Sequence, residues 1–74
     1  MECETVYKAV GIRLRMIREA LGIDQSEMAK RIGLTRTSVV NLEQGRQRVQ
    51  LHMVEKMAQG LGTSPKNLLR GIWW

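Results

Sequence analysis

Seventy-four residues leave room for one small domain. Twelve Lys and Arg against seven Asp and Glu give a net charge of +5. A single cysteine, Cys3, and a single histidine, His52, exclude a disulfide framework, a cysteine zinc cage and a histidine-based metal site. No window approaches the ~18 apolar residues of a membrane span, and the acidic start carries no secretory signal. The expectation is a reduced, soluble, cytoplasmic, basic globular domain, and basic charge alone is only weak evidence for a nucleic-acid partner.

The spacing of apolar residues is helical throughout, with no alternating strand pattern of useful length. The first helix is predicted from about Glu4 to Leu21. Val6, Val10, Leu14, Ile17 and Leu21 recur at steps of four and three and share one face. Arg13, Arg15 and Arg18 fall largely off that stripe. They read as solvated or internally paired ahead of DNA-bound. Gly22 ends the helix.

Asp24 is a good N-cap for a second helix, about Gln25 to Ile32, and Glu27 completes a capping-box-like pair. Met28, Ala29 and Ile32 are its core residues, and Gly33 its stop. Thr35 is then the N-cap of a third helix, about Arg36 to Gln44, with Val39 and Leu42 inward and Gly45 ending it. A fourth helix runs from about Leu51 to Leu61, with Leu51, Val54, Met57, Ala58 and Leu61 inward and a weakening Gly60. A fifth starts with Ser64 as N-cap and Pro65 at the first helical position. Leu68 and Leu69 are its buried residues and Gly71 its stop. The methionines are expected to fill core gaps. Residues 1–71 form the domain; Ile72, Trp73 and Trp74 form an apolar tail. That tail either folds over the domain's own core or makes a dimer contact. The fold expected is all-α, five helices with short connections.

The informative segment is Gln25 to Gly45. Two short helices joined by a tight glycine-containing turn have helix-turn-helix geometry. The second would stand proud of the surface and enter a major groove about 12 Å wide. Its outward residues are Arg36, Thr37, Ser38 and, one turn on, Asn41. Arg can bridge two acceptors on guanine, Asn can pair with adenine, and Thr can offer a methyl to thymine. Gln25 sits at the amino end of the second helix, where free amides favour a phosphate. Arg46 and Arg48 follow the third helix in the loop, beside Gln44 and Gln47, and can hold the flanking backbone. His52 reads as an exposed first-turn residue and Cys3 as a free thiol. No phosphate-cradling glycine loop and no nucleophile–base pair appear, so no enzyme, cofactor or metal is expected. Single-strand RNA readers use aromatic platforms, and the chain has none outside Tyr7 and the tail.

Three segments resemble the Xre family, the helix-turn-helix of lambdoid phage repressors and Cro. They are Gln25-Ser26-Glu27-Met28-Ala29, Gly33-Leu34-Thr35-Arg36-Thr37-Ser38-Val39 and Leu42-Glu43-Gln44-Gly45-Arg46. The likeness extends from Val10-Gly11-Ile12-Arg13-Leu14-Arg15 through Leu61-Gly62-Thr63-Ser64 to Leu69, about four-fifths of the chain. It implies a lambda-repressor-like fold of five helices, sequence-specific binding to double-stranded DNA, and transcriptional control, usually as a homodimer. It also implies base reading or adjacent phosphate contact by Arg36, Thr37, Ser38 and Asn41, with backbone contacts by Gln25, Thr35, Gln44, Arg46 and Arg48. Gln25 would brace the recognition helix as well. Arg18 and Glu43 stand where related repressors form an internal ion pair. Asp24 replaces the common Thr or Ser, Gln50 replaces the usual cap of the fourth helix, and the Trp73-Trp74 tail has no counterpart in the family. The competing class is a protein–protein interaction module, such as an antitoxin-like partner, that keeps the fold. A homodimer through the C-terminal helix, with Trp73 and Trp74, is the assembly expected.

Overall fold

The computed structural model describes residues 3–72, with the side chains of Cys3 and Glu4 left aside. It contains five helices: α1 Cys3–Ala20, α2 Gln25–Ile32, α3 Arg36–Glu43, α4 Leu51–Leu61 and α5 Pro65–Leu69. Among the described residues there is no strand. The long α1 packs against α3 on one flank and α5 on the other; α2 packs against α3 and α4, and α4 against α5. The chain thus wraps one core built from Val10, Leu14, Met28, Ala29, Ile32, Val39, Leu42, Val54, Met57, Ala58, Leu61, Leu68, Leu69 and Ile72. Fully burying a large aliphatic side chain contributes roughly 1.5–3 kcal/mol, so this set supplies the main favourable term for so short a chain.

The helix boundaries follow the local chemistry. The Asp24 carboxylate accepts the amide of Glu27 at 2.8 Å and starts α2. The reciprocal half of the expected capping box is absent: the Glu27 carboxylate turns along the helix to Arg31, 3.2 Å away. Ser64 starts α5 by accepting the amide of Asn67 at 3.1 Å, with Pro65 at the position that has no amide to lose. Gln50 precedes α4 without a side-chain cap bond. Helix α3 stops at Glu43, one residue before the expected end, and Gln44 is its C-cap. Helix α5 stops at Leu69, and Arg70 occupies the C-cap position ahead of Gly71.

Three apolar residues depart from expectation. Leu21 is 46% exposed, because α1 ends at Ala20 and the chain turns away before that side chain meets a neighbour. Leu51 is 77% exposed, since the first residue of α4 lies outside the packed layer; Val49 and Met53 pack against the core instead. Met16 is exposed and fills no core gap, whereas Met28 and Met57 do. Ile72, grouped in sequence with the tail, is buried with the core. Trp73 and Trp74 lie outside the described residues.

Candidate nucleic-acid interface

The connection between α2 and α3 is set by two residues. Gly33 adopts φ +72°, ψ 32°, a left-handed conformation that costs glycine little, and its amide closes α2 on the carbonyl of Ala29. The Leu34 amide donates to the same carbonyl at 2.9 Å. Thr35 is extended, and its hydroxyl accepts the amide of Ser38 at 3.1 Å. The turn therefore spends only Leu34 and Thr35 before a new helix begins. This is the geometry that the Thr35 cap and the Gly33 stop imply.

Helix α3 buries Val39, Leu42 and Glu43. Arg36 and Thr37 are exposed at its amino end. Ser38 is half-buried, and its hydroxyl accepts from that of Thr35 at 3.1 Å, so part of its bonding capacity is committed to the cap. Asn41 is half-buried one turn on, with Gln44 exposed after it. No acidic residue lies in the first turn of α3. The loop beyond carries exposed Arg46 and Arg48 and half-buried Gln47, and the Arg46 amide is anchored on the carbonyl of Asn41 at 2.9 Å. The result is a short polar rod with cations at both ends.

One buried charge fixes that rod. The Glu43 side chain is 4% exposed and the Arg18 side chain 12%. Arg18 donates through Nε to Oε2 of Glu43 at 2.6 Å and through Nη2 to Oε1 at 3.1 Å. Its Nη1 donates to the carbonyl of Ile23 at 3.0 Å, and Gln25 Nε2 donates to Oε1 of Glu43 at 3.2 Å. The carboxylate thus ties α1, the turn before α2, and α2 to the carboxyl end of α3. The hydrogen bond to Glu43 raises the Arg18 pKa above its ordinary value and outweighs the opposing effect of burial. Gln25 spends one amide hydrogen on this brace and keeps the other for a ligand.

The other expected cations have separate fates. Arg13 donates to the carbonyls of Asn67 at 2.9 Å, Leu68 at 3.4 Å and Arg70 at 2.8 Å, capping α5 and holding it on α1. Arg15 pairs with Glu19 at 3.6 Å with both side chains largely exposed. With Arg18, Asp24, Gln25, Ser26 and Arg36 it lines an open polar cleft of about 450 Å³. Sequence reasoning missed the capping role of Arg13, for which the sequence carries no local signal. It also missed Gly11, where α1 crosses α3. The sign there was a glycine inside a helical stripe. Among the described residues no group of three His, Cys, Asp or Glu could hold a metal ion, and no helix is long and apolar enough to cross a membrane.

Comparison with known proteins places this geometry. A family model described as a helix-turn-helix domain matches residues 9–70. An uncharacterised helix-turn-helix-type transcriptional regulator of Methanothermobacter thermautotrophicus is 39% identical over 49 residues, which are 66% of this chain and 71% of that protein. The restriction–modification controller protein C.AhdI from Aeromonas hydrophila is similar in structure with a TM-score of 0.80 at 35% identity, covering 84% of this chain and 94% of that one. The DNA-binding domain of the P22 c2 repressor, solved in solution, is similar with a TM-score of 0.79 at 26% identity, covering 84% and 82%.

Proposed function

The chain belongs to the helix-turn-helix family of DNA-binding transcriptional regulators, of the Xre type, and from that premise we propose that it is a repressor acting as a homodimer on an operator with two half-sites. Helix α3 enters the major groove. Arg36, Thr37, Ser38 and Asn41 read base edges or the phosphates next to them, while Gln25, Thr35, Gln44, Arg46 and Arg48 hold the backbone. The observation that carries this reading is the exposed polar amino end of α3, free of acidic residues and held rigid from behind by the buried Glu43 cluster. Restriction–modification control and repression, the roles named for two of the similar structures, are the kinds of circuit such a domain would serve.

Dimerisation follows from reach. An eight-residue helix covers only a few base pairs, and pairing two of them about 34 Å apart doubles the sequence read. Exposed Leu51 supports a second copy as the partner. So does an apolar groove of about 170 Å³ on the same helix, lined by Ile32, Leu34, Met53 and Met57 with Gln47, His52 and Lys56 at its polar side. The C-terminal helix and the two tryptophans after it complete the surface proposed for that contact.

The test is selection of bound duplexes from a random pool, followed by binding of variants to the selected sequence and to arbitrary DNA. Two related half-sites with a spacing of about one helical turn, or a multiple of it, are expected. Replacing Arg36 or Asn41 with Ala should cost about 1–3 kcal/mol on the selected site and relax preference at particular base pairs. Replacing Arg46 should weaken both duplexes alike. Equal losses on selected and arbitrary DNA for all three would refute the assignment of base-reading roles.

A further inference from the structure

Helix α1 has so far served as a support. Its period of 3.6 residues brings Lys8, Gly11, Arg15 and Arg18 onto the flank that faces α3. Gly11 marks the crossing, where a β-carbon would meet the carbonyl oxygens of Leu42 and Glu43. Arg18 turns inward to Glu43. Lys8 and Arg15 stay at the surface on either side of the crossing, and each reaches a different end of α3.

Lys8 is exposed and lies against Gly45, the residue that opens the loop carrying Arg46 and Arg48. A β-carbon on Gly45 would be 2.6 Å from Cγ of Lys8 and 2.8 Å from its Cα. Arg15 lines the cleft at the other end, beside Gln25, Ser26 and Arg36. Within that cleft Arg18 is compensated by Glu43, so Arg15 and Arg36 face the single carboxylate of Asp24 and the balance is positive. The pair of Arg15 with Glu19 is exposed and long, the kind that contributes little and yields to a competing anion. Seven residues of helix separate Lys8 from Arg15 by about 10.5 Å along the axis, close to the ~12 Å width of a major groove.

We propose that Lys8 and Arg15 each contact a phosphate, one on either wall of the groove that receives α3, so that α1 is itself part of the DNA interface. This rests on the DNA-binding reading above and adds two residues to it. These contacts are blind to sequence. They set the depth and orientation of α3, while the residues of α3 choose the bases.

The test uses the salt dependence of binding to a short duplex of arbitrary sequence. Lys8→Gln, Arg15→Gln and the double variant are compared with the unaltered chain, and Lys30→Gln at the exposed carboxyl half of α2 is the control for loss of any positive charge. Each lost phosphate contact should lower the slope of log affinity against log salt by about 0.9. Between about 50 and 200 mM salt, the fall in affinity should therefore be about 3.5-fold smaller for each single variant and about 12-fold smaller for the double. Lys30→Gln should leave the slope unchanged. All four variants should melt like the unaltered chain, since the replaced side chains are exposed. A slope unaltered by either Lys8→Gln or Arg15→Gln, or matched by Lys30→Gln, overturns the assignment. Failure of the unaltered chain to bind duplex even at low salt would instead remove the DNA-binding reading itself, and this inference with it.

Discussion

Gly11→Ala is the substitution in which local preference and tertiary packing disagree most sharply. In an isolated helix, alanine is favoured over glycine by about 0.8–1 kcal/mol. Here the added β-carbon would lie 2.7 Å from the carbonyl oxygen of Glu43 and closer still to that of Leu42. Both are backbone atoms near the end of a helix, so neither can rotate away as a side-chain tip would. Restoring ordinary contact means parting α1 from α3 by close to 1 Å. That gap opens beside Val10, Leu14, Val39 and Leu42, all at most 2% exposed. Overpacking of this kind costs about 1–3 kcal/mol, and rigid backbone on the receiving side favours the upper part of the range even after the helix preference is subtracted. At about 4–8 °C per kcal/mol for a domain of this size, Tm should fall by roughly 5–20 °C, read by circular dichroism and checked by urea titration. At Gly60 the approaches are less severe, 2.6 Å to a methyl of Ile32 and 3.0 Å to the carbonyl oxygen of Arg31, so Gly60→Ala should cost less. A Gly11→Ala chain that melts at or above the unaltered protein would show that α1 and α3 do not pack as closely as described.

Two further outcomes follow from the arginines. Arg18→Met should destabilise by about 3–5 kcal/mol, because it leaves the Glu43 carboxylate buried with Gln25 as its remaining partner. Adding Glu43→Leu should recover most of that loss in urea denaturation; additive losses in the double variant would contradict a coupled pair. Arg13→Met should cost about 1–2 kcal/mol, since it removes charged hydrogen bonds to the carbonyls of Asn67, Leu68 and Arg70 at the carboxyl end of α5. Its mark should be faster amide exchange confined to α5 and its junction with Ile72. Uniform acceleration across the chain would mean that Arg13 acts on global stability alone.

The helices were legible because stop signals and periodicity agreed. The bounds of α2 and α4 follow from Asp24, Gly33 and Gly62, and the recognition helix begins where Thr35 says it should. Periodicity reports an angle around a helix and says nothing of depth along it. Leu21 and Leu51 have the right angle for the core, yet they stand at helix ends where no neighbouring element reaches. The outward placement of Arg36, Thr37 and Asn41 was readable for the same reason as the turn: a short helix with few apolar positions can bury only one face. The fates of Arg13 and Arg15 were not readable, and the pairing of Arg18 with Glu43 came from the family resemblance alone. The three arginines are alike in chemistry and within two turns of one another, but one flank of α1 meets α5 and the other meets α3. The partners that tie Arg13 to α5 and Arg18 to α3 lie 25 to 57 residues away in sequence, whereas Arg15 pairs with Glu19 one turn on.

The same long-range contacts explain how so short a helix can act as a reading head. Eight residues fall below the ~12–15 at which a helix is even marginally stable in water, and α3 buries three of them. Its order is imported from three places. The Thr35 hydroxyl caps its start. Gly11 lets α1 lie against its later turn. The Glu43 carboxylate, held by Arg18 and Gln25, locks its end. None of these groups needs to touch a base to govern where Arg36 and Asn41 point. A displacement of about 1 Å at any of the three would misplace every outward side chain together. Changes there should therefore weaken binding to all sequences in proportion, whereas changes on the outer face alter the choice among sequences. On the proposed reading, the division between affinity and specificity would follow the two faces of one helix.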